Sequence, residues 1–348
     1  MFARPRVGSG EMEVQDLLGR PLRDLRVSVT DRCNFRCAYC MPREVFGPGF
    51  KFLPHSEVLT FEEIVGVVRA AVALGARKVR LTGGEPLLRR GLPDLVRMVA
   101  AVEGVEDLAM TTNGALLERY AEALAEAGLQ RITVSLDSVD PEVFRAMNGV
   151  DVELDQVLRG LEAASRSSLA PVKLNAVIRR GVNDAGILAL AEFAREGGYV
   201  LRFIEYMDVG ESHGWRLEEV VPAKEVVEII SERWRLEPVS PSYGGEVASR
   251  FRYRDGGGEV GVITSVTAPF CGACTRLRLS AEGRVHTCLF SRGGVDLRPI
   301  LRSEAGPGAV EAALRSLWSV RQDRYSEERT QQGGRARGPK VEMSYLGG

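Results

Sequence analysis

Six short runs rich in apolar and β-branched residues alternate with longer stretches in which apolar residues recur at helical spacing. Glycines follow several helical stretches, as they often do at helix ends. This order predicts a parallel sheet, in a full or partial (β/α) barrel or in an open doubly wound sheet. The predicted strands are Leu25–Thr30, Lys78–Thr82, Asp107–Thr112, Arg131–Leu136, Val172–Ile178 and Val200–Tyr206. The predicted helices include Phe61–Gly75, Leu92–Val102, Glu118–Gly128 and Ala185–Gly197.

The strand–helix rhythm ends after residue 235 in a turn-rich segment. Two β-like runs flank Asp255–Gly258 and predict an antiparallel hairpin, a second hairpin is predicted within Arg276–His286, and a helix within Val310–Arg321. The last stretch is rich in Arg, Gln and Gly, so its composition favours disorder. We divide the chain into a mobile N-terminal segment 1–20, a barrel core 21–235, a C-terminal domain 236–320 and a tail 321–348.

Composition and charge exclude several classes of protein. Hydrophobic residues make up 45% of the chain and charged residues 27%, as in an ordinary globular protein. No apolar run approaches the roughly 20 residues that span a bilayer, and no secretory signal is visible, so we expect a cytoplasmic protein without a membrane partner. The 46 Lys and Arg against 47 Asp and Glu give a net charge of −1, which argues against nucleic-acid binding.

Three cysteines within eight residues, Cys33, Cys37 and Cys40, follow directly after the first predicted strand. In a barrel this position lies at the mouth where the strand–helix loops build active sites. A [4Fe-4S] cluster normally takes four thiolates, so three indicate either a distant fourth ligand or an iron left open. Zinc remains an alternative, although the C-x3-C-x2-C spacing is unusual for it.

A second set of three cysteines, Cys271, Cys274 and Cys288, lies near the other end of the chain. All six cysteines fall in two short groups, unlike the dispersed cysteines of a disulfide-stapled domain. The second set suits either an iron-sulfur cluster or a Cys3His zinc site with His286 as the fourth ligand.

The first cysteine motif, with an aromatic residue before its last cysteine, resembles that of the radical S-adenosylmethionine superfamily, as does the Gly-Gly of Leu81–Pro86. The resemblance implies that the open iron chelates S-adenosylmethionine, which the reduced cluster splits into methionine and a 5'-deoxyadenosyl radical. Glycine there would let the backbone approach the amino group of S-adenosylmethionine. The implied contacts to this cofactor are Tyr39, Gly84, Ser135 and Met207.

A narrower resemblance covers nearly the whole chain. The Cys-x2-Cys-x-Arg-x-Arg run, a third cysteine before Leu289–Phe290 and the final Gly-Gly resemble molybdenum cofactor biosynthesis protein A, the GTP 3',8-cyclase family. The resemblance implies an α/β fold: an incomplete (β/α)6 TIM-type barrel with a C-terminal α+β extension closing its open side. It also implies a second [4Fe-4S] cluster whose open iron binds the guanine of GTP.

The same resemblance implies a lyase reaction. The radical abstracts the ribose H3' of GTP, C3' attacks C8 of guanine, and the product is (8S)-3',8-cyclo-7,8-dihydroguanosine 5'-triphosphate, the first intermediate of molybdenum cofactor biosynthesis. The implied partners are a flavodoxin or ferredoxin as electron donor, a downstream cyclic pyranopterin monophosphate synthase and a second copy in a homodimer. The alternatives are a peptide-modifying radical enzyme with an auxiliary cluster, or a non-catalytic iron-sulfur or zinc redox protein.

The chain contains neither a G-x4-G-K-[ST] loop nor a G-x-G-x-x-G fingerprint, so scattered cations must hold any triphosphate. Arginine suits phosphate oxygens because its planar fork donates paired hydrogen bonds. We expect Arg276 and Arg278 to lie on one face of a strand, because they alternate. By position in the family's motifs, the substrate-binding residues are Arg26, Arg80, Thr111, Lys173, Arg276, Leu277 and Arg278.

The resemblance also implies that the C-terminal tail enters the active site. The catalytic residues implied are Arg276, Arg278, Gly347 and Gly348. We further expect tail arginines to seat this segment near the phosphates. Those arginines are Arg324, Arg329, Arg335 and Arg337.

Overall fold

The computed structural model describes residues 13–329 and 340–347. Six parallel strands form its centre, which confirms the predicted strand–helix order. The strands are β1 (Asp24–Ser28), β2 (Lys78–Thr82), β3 (Asp107–Thr112), β4 (Arg131–Ser135), β5 (Lys173–Ile178) and β6 (Val200–Glu205). The accompanying helices are α1 (Phe61–Ala73), α2 (Leu92–Ala100), α3 (Leu117–Glu126), α4 (Pro141–Asn148), α5 (Leu154–Arg166), α6 (Ile187–Glu196) and α7 (Ala223–Arg233).

The C-terminal part adds six strands and four helices among the described residues. Both predicted hairpins and the long predicted helix are present. The strands are β7 (Leu236–Val239), β8 (Ser249–Tyr253), β9 (Glu259–Ile263), β10 (Arg276–Leu279), β11 (Arg284–His286) and β12 (Val295–Asp296). The helices are α8 (Arg298–Leu301), α9 (Pro307–Ser319), α10 (Tyr325–Glu328) and α11 (Met343–Leu346).

All twelve strands belong to one sheet, in the order β12-β11-β10-β1-β2-β3-β4-β5-β6-β9-β8-β7. The C-terminal strands extend the six-stranded core at both edges, because β10 pairs in parallel with β1 and β9 pairs in parallel with β6. The sheet therefore remains open, and the C-terminal segment continues the barrel wall on either side of the gap.

Apolar and polar side chains alternate along the inner strands, so the sheet has an apolar outer face and a polar inner face. On β1, Leu25 and Val27 are buried in the hydrophobic core, and Arg26 between them lines the interior cavity. On α1, apolar residues at helical spacing pack toward the sheet, and Thr60 and Glu63 close its first turn as a capping box. The apolar core thus lies between strands and helices, which leaves the inside of the curved sheet for polar groups.

Two terminal segments depart from the expected disorder. Residues 13–20 are packed rather than mobile: a β-bridge joins Gln15 to Pro21, and the side chains of Asp16 and Arg20 are buried. In the tail, 321–329 and 340–347 contain two short helices, and Leu346 is completely buried. Composition missed this order because the packing partners are remote in sequence. Across the described residues, no helix is long and apolar enough to cross a membrane.

A pair of glycine substitutions tests the helix packing. An alanine Cβ at Gly160 on α5 would lie 2.6 Å from the Gly114 carbonyl oxygen, whereas one at Gly66 on α1 would meet nothing within 4 Å. We expect Gly160→Ala to lower the free energy of unfolding by about 1–3 kcal/mol through overpacking. Gly66→Ala should raise it by about 0.5–1 kcal/mol, because alanine loses less backbone entropy. Urea denaturation of the apo protein measures both, and equal effects would contradict the packing argument.

Candidate active site

Both cysteine sets line one cavity inside the curved sheet. Cys33, Cys37 and Cys40 lie on the loop after β1, whereas Cys271 and Cys274 lie just before β10 and Cys288 follows β11. All six lie in the described part of the chain, and none of them forms a disulfide there. Because β10 lies beside β1, pairing of the strands brings together two motifs that are more than 200 residues apart.

The glycines after β2 hold the first cysteine loop by its backbone. The Gly84 N–H donates to the Thr30 carbonyl (2.8 Å), and the Glu85 N–H donates to the Arg32 carbonyl (2.7 Å). A Cβ on Gly84 would lie 2.3 Å from the Arg32 oxygen. We expected glycine here because it lets the backbone approach S-adenosylmethionine. The structure adds a second reason: only glycine at position 84 lets the Arg32 carbonyl come this close.

The side chain of Arg36 braces the same loop from within. It donates to the carbonyls of Cys33 (2.8 Å), Phe35 (2.7 Å) and Phe46 (2.7 Å). Each bond uses a charged donor, which makes it stronger than a neutral hydrogen bond. The loop that carries the three thiols is thus folded by the chain itself. Burial raises the pKa of Cys33 to about 12 and raises those of Cys37 and Cys40.

Tyr39, Gly84, Ser135 and Met207, the expected S-adenosylmethionine contacts, all line the cavity. The Tyr39 hydroxyl donates to the Asp137 carboxylate (2.8 Å), which also accepts the Val177 N–H (2.8 Å). Burial raises the pKa of Asp137 to about 6. Sequence reasoning missed Asp137, although it stands two residues after Ser135; it ties the cysteine loop to the ends of β4 and β5.

Arginine side chains crowd the cavity next to the thiols. Strand register places Arg26 opposite Arg80 on one side and opposite Arg278 on the other. Arg276 lies on the same face of β10 as Arg278, as expected from their alternation. Arg202 on β6 completes the set; sequence reasoning missed it, because a single arginine in an apolar strand carries no motif. Among the described residues, none of these five arginines forms an ion pair with a carboxylate.

Desolvation acts strongly on these guanidinium groups. Burial lowers the pKa of Arg26 to about 9 and those of Arg80 and Arg202 to about 10, and neighbouring cations lower them further. Hydroxyls meet part of their hydrogen-bonding needs: Arg80 donates to Thr111 (3.0 Å), and Arg202 donates to Thr133 (3.2 Å). The cavity therefore holds excess positive charge, which an anionic ligand would neutralise.

Two expected substrate residues are placed differently from the others. Lys173, the first residue of β5, is in register with Thr133 but does not line the cavity. Burial and then the charge of Arg202 lower its pKa to about 8, so it still contributes to the same positive field. The Leu277 side chain is completely buried in the hydrophobic core, so only its backbone is available to a ligand.

The second cysteine set has a different electrostatic environment. Against the effect of burial, the charges of Arg276 and Arg321 lower the pKa of Cys274 to about 6, whereas burial raises that of Cys288 to about 12. The Arg276 Nη2 donates to the Cys274 sulfur (3.3 Å). His286, the zinc ligand of the alternative interpretation, does not line the cavity. Its Nδ1 instead contacts the Ser291 hydroxyl (2.8 Å).

The C-terminal tail reaches the arginines. The Arg278 Nη1 donates to the Gly347 carbonyl (2.6 Å), and a Cβ on Gly347 would lie 2.2 Å from the Thr82 Cγ2. Upstream, the carboxylate of Glu342 accepts hydrogen bonds from Ser212 and from the Glu211 N–H. Gly348 lies outside the described residues.

A buried carboxylate on the loop after β6 anchors the upstream tail. Asp208 accepts a hydrogen bond from Tyr325, contacts Arg329 at 2.8 Å and accepts a bond from Lys340 at 2.7 Å. Arg324 pairs with Glu327. Arg324 and Arg329 thus have protein carboxylates as partners, and their expected role in seating the tail near phosphates stays a prediction. Arg335 and Arg337 lie outside the described residues.

Comparison with known proteins identifies the family. A 56% identical relative from Acidothermus cellulolyticus, named GTP 3',8-cyclase, aligns with 96% of this chain and 99% of its own length. Two further relatives carry the same name. The one from Xanthomonas campestris is 51% identical over 96% of this chain and 97% of its own length, and the one from Staphylococcus haemolyticus is 46% identical over 97% and 99%. The chain belongs to the GTP 3',8-cyclase family. The family models of the radical SAM superfamily and of Molybdenum Cofactor Synthesis C match residues 27–194 and 199–327 of this family member.

Solved structures support the fold. Streptococcus suis SuiB bound to S-adenosylmethionine superposes with a TM-score of 0.58 at 14% identity, over 85% of this chain and 68% of that one. SuiB bound to its precursor peptide SuiA gives 0.59 at 14%, over 88% and 66%. Membership of the radical SAM superfamily implies S-adenosylmethionine and a [4Fe-4S] cluster. The first cysteine loop fits that cluster, because its three thiols line the cavity from a backbone that is already braced.

Two glycines near the first cysteine loop provide a matched test. Gly84→Ala would drive a Cβ into the Arg32 carbonyl, whereas Gly49, farther along the same segment, has open space around it. Because a displacement of about 1 Å at a site costs up to roughly 100-fold in rate, we expect Gly84→Ala to slow reductive cleavage of S-adenosylmethionine by at least about tenfold. Gly49→Ala should keep the parental rate of 5'-deoxyadenosine formation. A parental rate in Gly84→Ala would refute the close-packing argument.

Proposed function

We propose that this protein converts GTP to (8S)-3',8-cyclo-7,8-dihydroguanosine 5'-triphosphate, the first step of molybdenum cofactor biosynthesis. The family assignment supports the reaction, and one structural observation carries it. Five arginines without carboxylate partners among the described residues share a cavity with two sets of three thiols. This combination is suited to a polyanionic substrate held between two metal clusters.

The charge of the cavity favours a triphosphate. Burying several guanidinium groups together is unfavourable unless anions or hydrogen-bond acceptors compensate them. We assign substrate binding to side chains on the inner face and to the Leu277 backbone. Arg202 joins the set on the basis of its place in the cavity. The assigned residues are Arg26, Arg80, Thr111, Lys173, Arg202, Arg276, Leu277 and Arg278.

We assign the first cluster to Cys33, Cys37 and Cys40, and S-adenosylmethionine to Tyr39, Gly84, Ser135 and Met207. When bound, the reduced cluster supplies the electron that cleaves S-adenosylmethionine and so provides the 5'-deoxyadenosyl radical. The chain positions the two substrates and excludes solvent around them.

We assign a second [4Fe-4S] cluster to Cys271, Cys274 and Cys288, with one iron open to guanine. The position of His286 supports iron-sulfur rather than Cys3His zinc, since its ring lies outside the cavity and its Nδ1 contacts Ser291. Arg276 donates to the Cys274 sulfur and lines the cavity, so it is suited to contact both the cluster edge and the substrate.

The tail completes the site in this proposal. Gly347 lies against Arg278 and Thr82, with a positive φ of +65° that glycine adopts readily. We assign catalytic roles to Arg276, Arg278, Gly347 and Gly348. The partners we propose are a flavodoxin or ferredoxin as reductant, a second copy in a homodimer, and a cyclic pyranopterin monophosphate synthase that consumes the product.

The proposal is tested by turnover and metal content. Anaerobically reconstituted and reduced protein should contain about eight irons per chain, since two [4Fe-4S] clusters hold four each. With S-adenosylmethionine, it should form 5'-deoxyadenosine slowly without GTP and faster when GTP is added, together with the cyclised nucleotide; both products are detected by chromatography and mass spectrometry.

Cys271→Ala is the control for the second cluster. We expect it to keep about four irons and to cleave S-adenosylmethionine without forming the cyclised product. Cleavage by the parent that is unaffected by GTP would favour the peptide-modifying alternative. Four irons plus one zinc in the parent would disprove the model of GTP on a cluster.

Removal of Gly347 and Gly348 tests the tail. We expect loss of cyclisation, because Arg278 loses the carbonyl that it contacts and the substrate loses that wall of its site. Iron content and GTP-independent cleavage of S-adenosylmethionine should remain parental, since the cysteine loops do not depend on Gly347. Retained cyclisation by the shortened chain would overturn the assignment.

A further inference from the structure

A buried ion cluster joins the N-terminal segment to the chain after α9. The Asp16 carboxylate binds the Arg20 Nε at 2.6 Å and the Arg321 Nη1 at 3.0 Å. The three side chains are 0%, 2% and 1% exposed, respectively. We call Asp16, Arg20 and Arg321 the arginine bracket. Arg321 lies more than 300 residues after Asp16 and Arg20 in sequence, so only the folded chain assembles the bracket.

Both arginines of the bracket also donate hydrogen bonds to the backbone of the second cysteine set. Arg20 Nη1 donates to the Cys271 carbonyl (2.8 Å), and Arg321 Nη1 donates to the Cys274 carbonyl (2.8 Å). Arg321 Nε donates to the carbonyl of Thr287 (3.1 Å), the residue before Cys288. Each cysteine segment is therefore held at its backbone by an arginine.

The surrounding chain fixes the bracket in turn. The other Asp16 oxygen accepts the N–H groups of Leu18 and Arg20 (both 2.9 Å), which closes a local turn. The Trp318 indole on α9 donates to the Arg20 carbonyl (3.1 Å), and the Arg321 guanidinium lies 4.6 Å from the Trp318 ring centroid. The bracket therefore cannot shift without moving α9 or the N-terminal turn.

Such an arrangement is costly if stability is its only purpose. Two buried guanidinium groups share the buried Asp16 carboxylate, and a second, partly exposed carboxylate, that of Asp323, lies 3.5 Å from the Arg321 Nε. Replacing buried ion groups with apolar residues is often neutral or stabilising. What the bracket offers is geometric, because an arginine fork donates in fixed directions to two or three acceptors at once. Those acceptors lie in the three segments that carry Cys271, Cys274 and Cys288.

We propose that Asp16, Arg20 and Arg321 are positioning residues that preform the second cluster site by fixing the backbone of its three cysteine segments. The inference rests on the proposed function, since that function supplies the second cluster. It extends the site to a part of the chain, residues 13–20, that contains no cysteine and no residue lining the cavity.

Lysine substitutions test the proposal. Arg20→Lys and Arg321→Lys each keep the positive charge but replace the fork with a point donor that reaches fewer acceptors. Arg315→Lys on α9 is the matched control, because Arg315 pairs with Glu311 at the surface, away from both cysteine sets. Full-length proteins are reconstituted anaerobically, and iron, sulfide, electron paramagnetic resonance of the reduced protein and 5'-deoxyadenosine formation without GTP are measured.

We expect Arg321→Lys and Arg20→Lys to lose up to half of the iron and to lose or alter the resonance signal of the second cluster. The first-cluster signal and GTP-independent cleavage should stay parental, as should every property of Arg315→Lys. Parental iron and unchanged spectra in both variants would overturn the proposal, and so would equal loss of both clusters or unfolding of both apo variants in circular dichroism. A parent protein with only one cluster would instead disprove the proposed function, and this inference with it.

Discussion

Five arginines line the inside of the curved sheet, and none of them forms an ion pair with a carboxylate among the described residues. Their mutual repulsion constrains the rest of the molecule. Even with its pKa lowered by burial to about 9, the Arg26 guanidinium stays charged at neutral pH, so the chain does not relieve this crowding there by releasing protons. The groups must be held apart by rigid elements until an anion arrives. Placement on β1, β2, β6 and β10 does this, because each strand is fixed on its other face by a dense apolar core. An anionic substrate relieves this repulsion when it binds, which favours its binding.

The two cysteine sets are supported by different means. The first follows β1 and is held by Arg36 within the loop, by the close approach of Gly84 to the Arg32 carbonyl, and by Asp137 beyond β4. The second set spans two strands and is held by Arg20 and Arg321, which come from opposite ends of the sequence. The supports of the first loop therefore all come from residues 30–177, whereas the second site requires both ends of the chain.

The fold could be predicted from sequence where local pattern determines it. Alternation and helical spacing gave the six parallel strands, and the Cys-x2-Cys-x-Arg-x-Arg run placed Arg276 and Arg278 on one strand face. The pattern of apolar and polar residues could not show that β10 pairs with β1, because the pairing of strands remote in sequence produces no periodicity in that sequence. Arg202 was missed for a related reason, since its importance comes from neighbours on β2 and β4. The order in 13–20 and in the tail was invisible to composition, which ignores remote partners such as Trp318 and Asp208.

The contacts of Asp208 couple two parts of the molecule. Asp208 follows Met207, which lines the cavity, and it holds Tyr325, Arg329 and Lys340 of the tail region. Loop and tail therefore share one set of ion contacts, and a change in the order of one changes the order of the other. By thermodynamic reciprocity, if the seated tail tightens the binding of a ligand beside Met207, that ligand favours the seated tail by the same factor. Such coupling would act through the contacts of Asp208 and would need no large movement of the sheet.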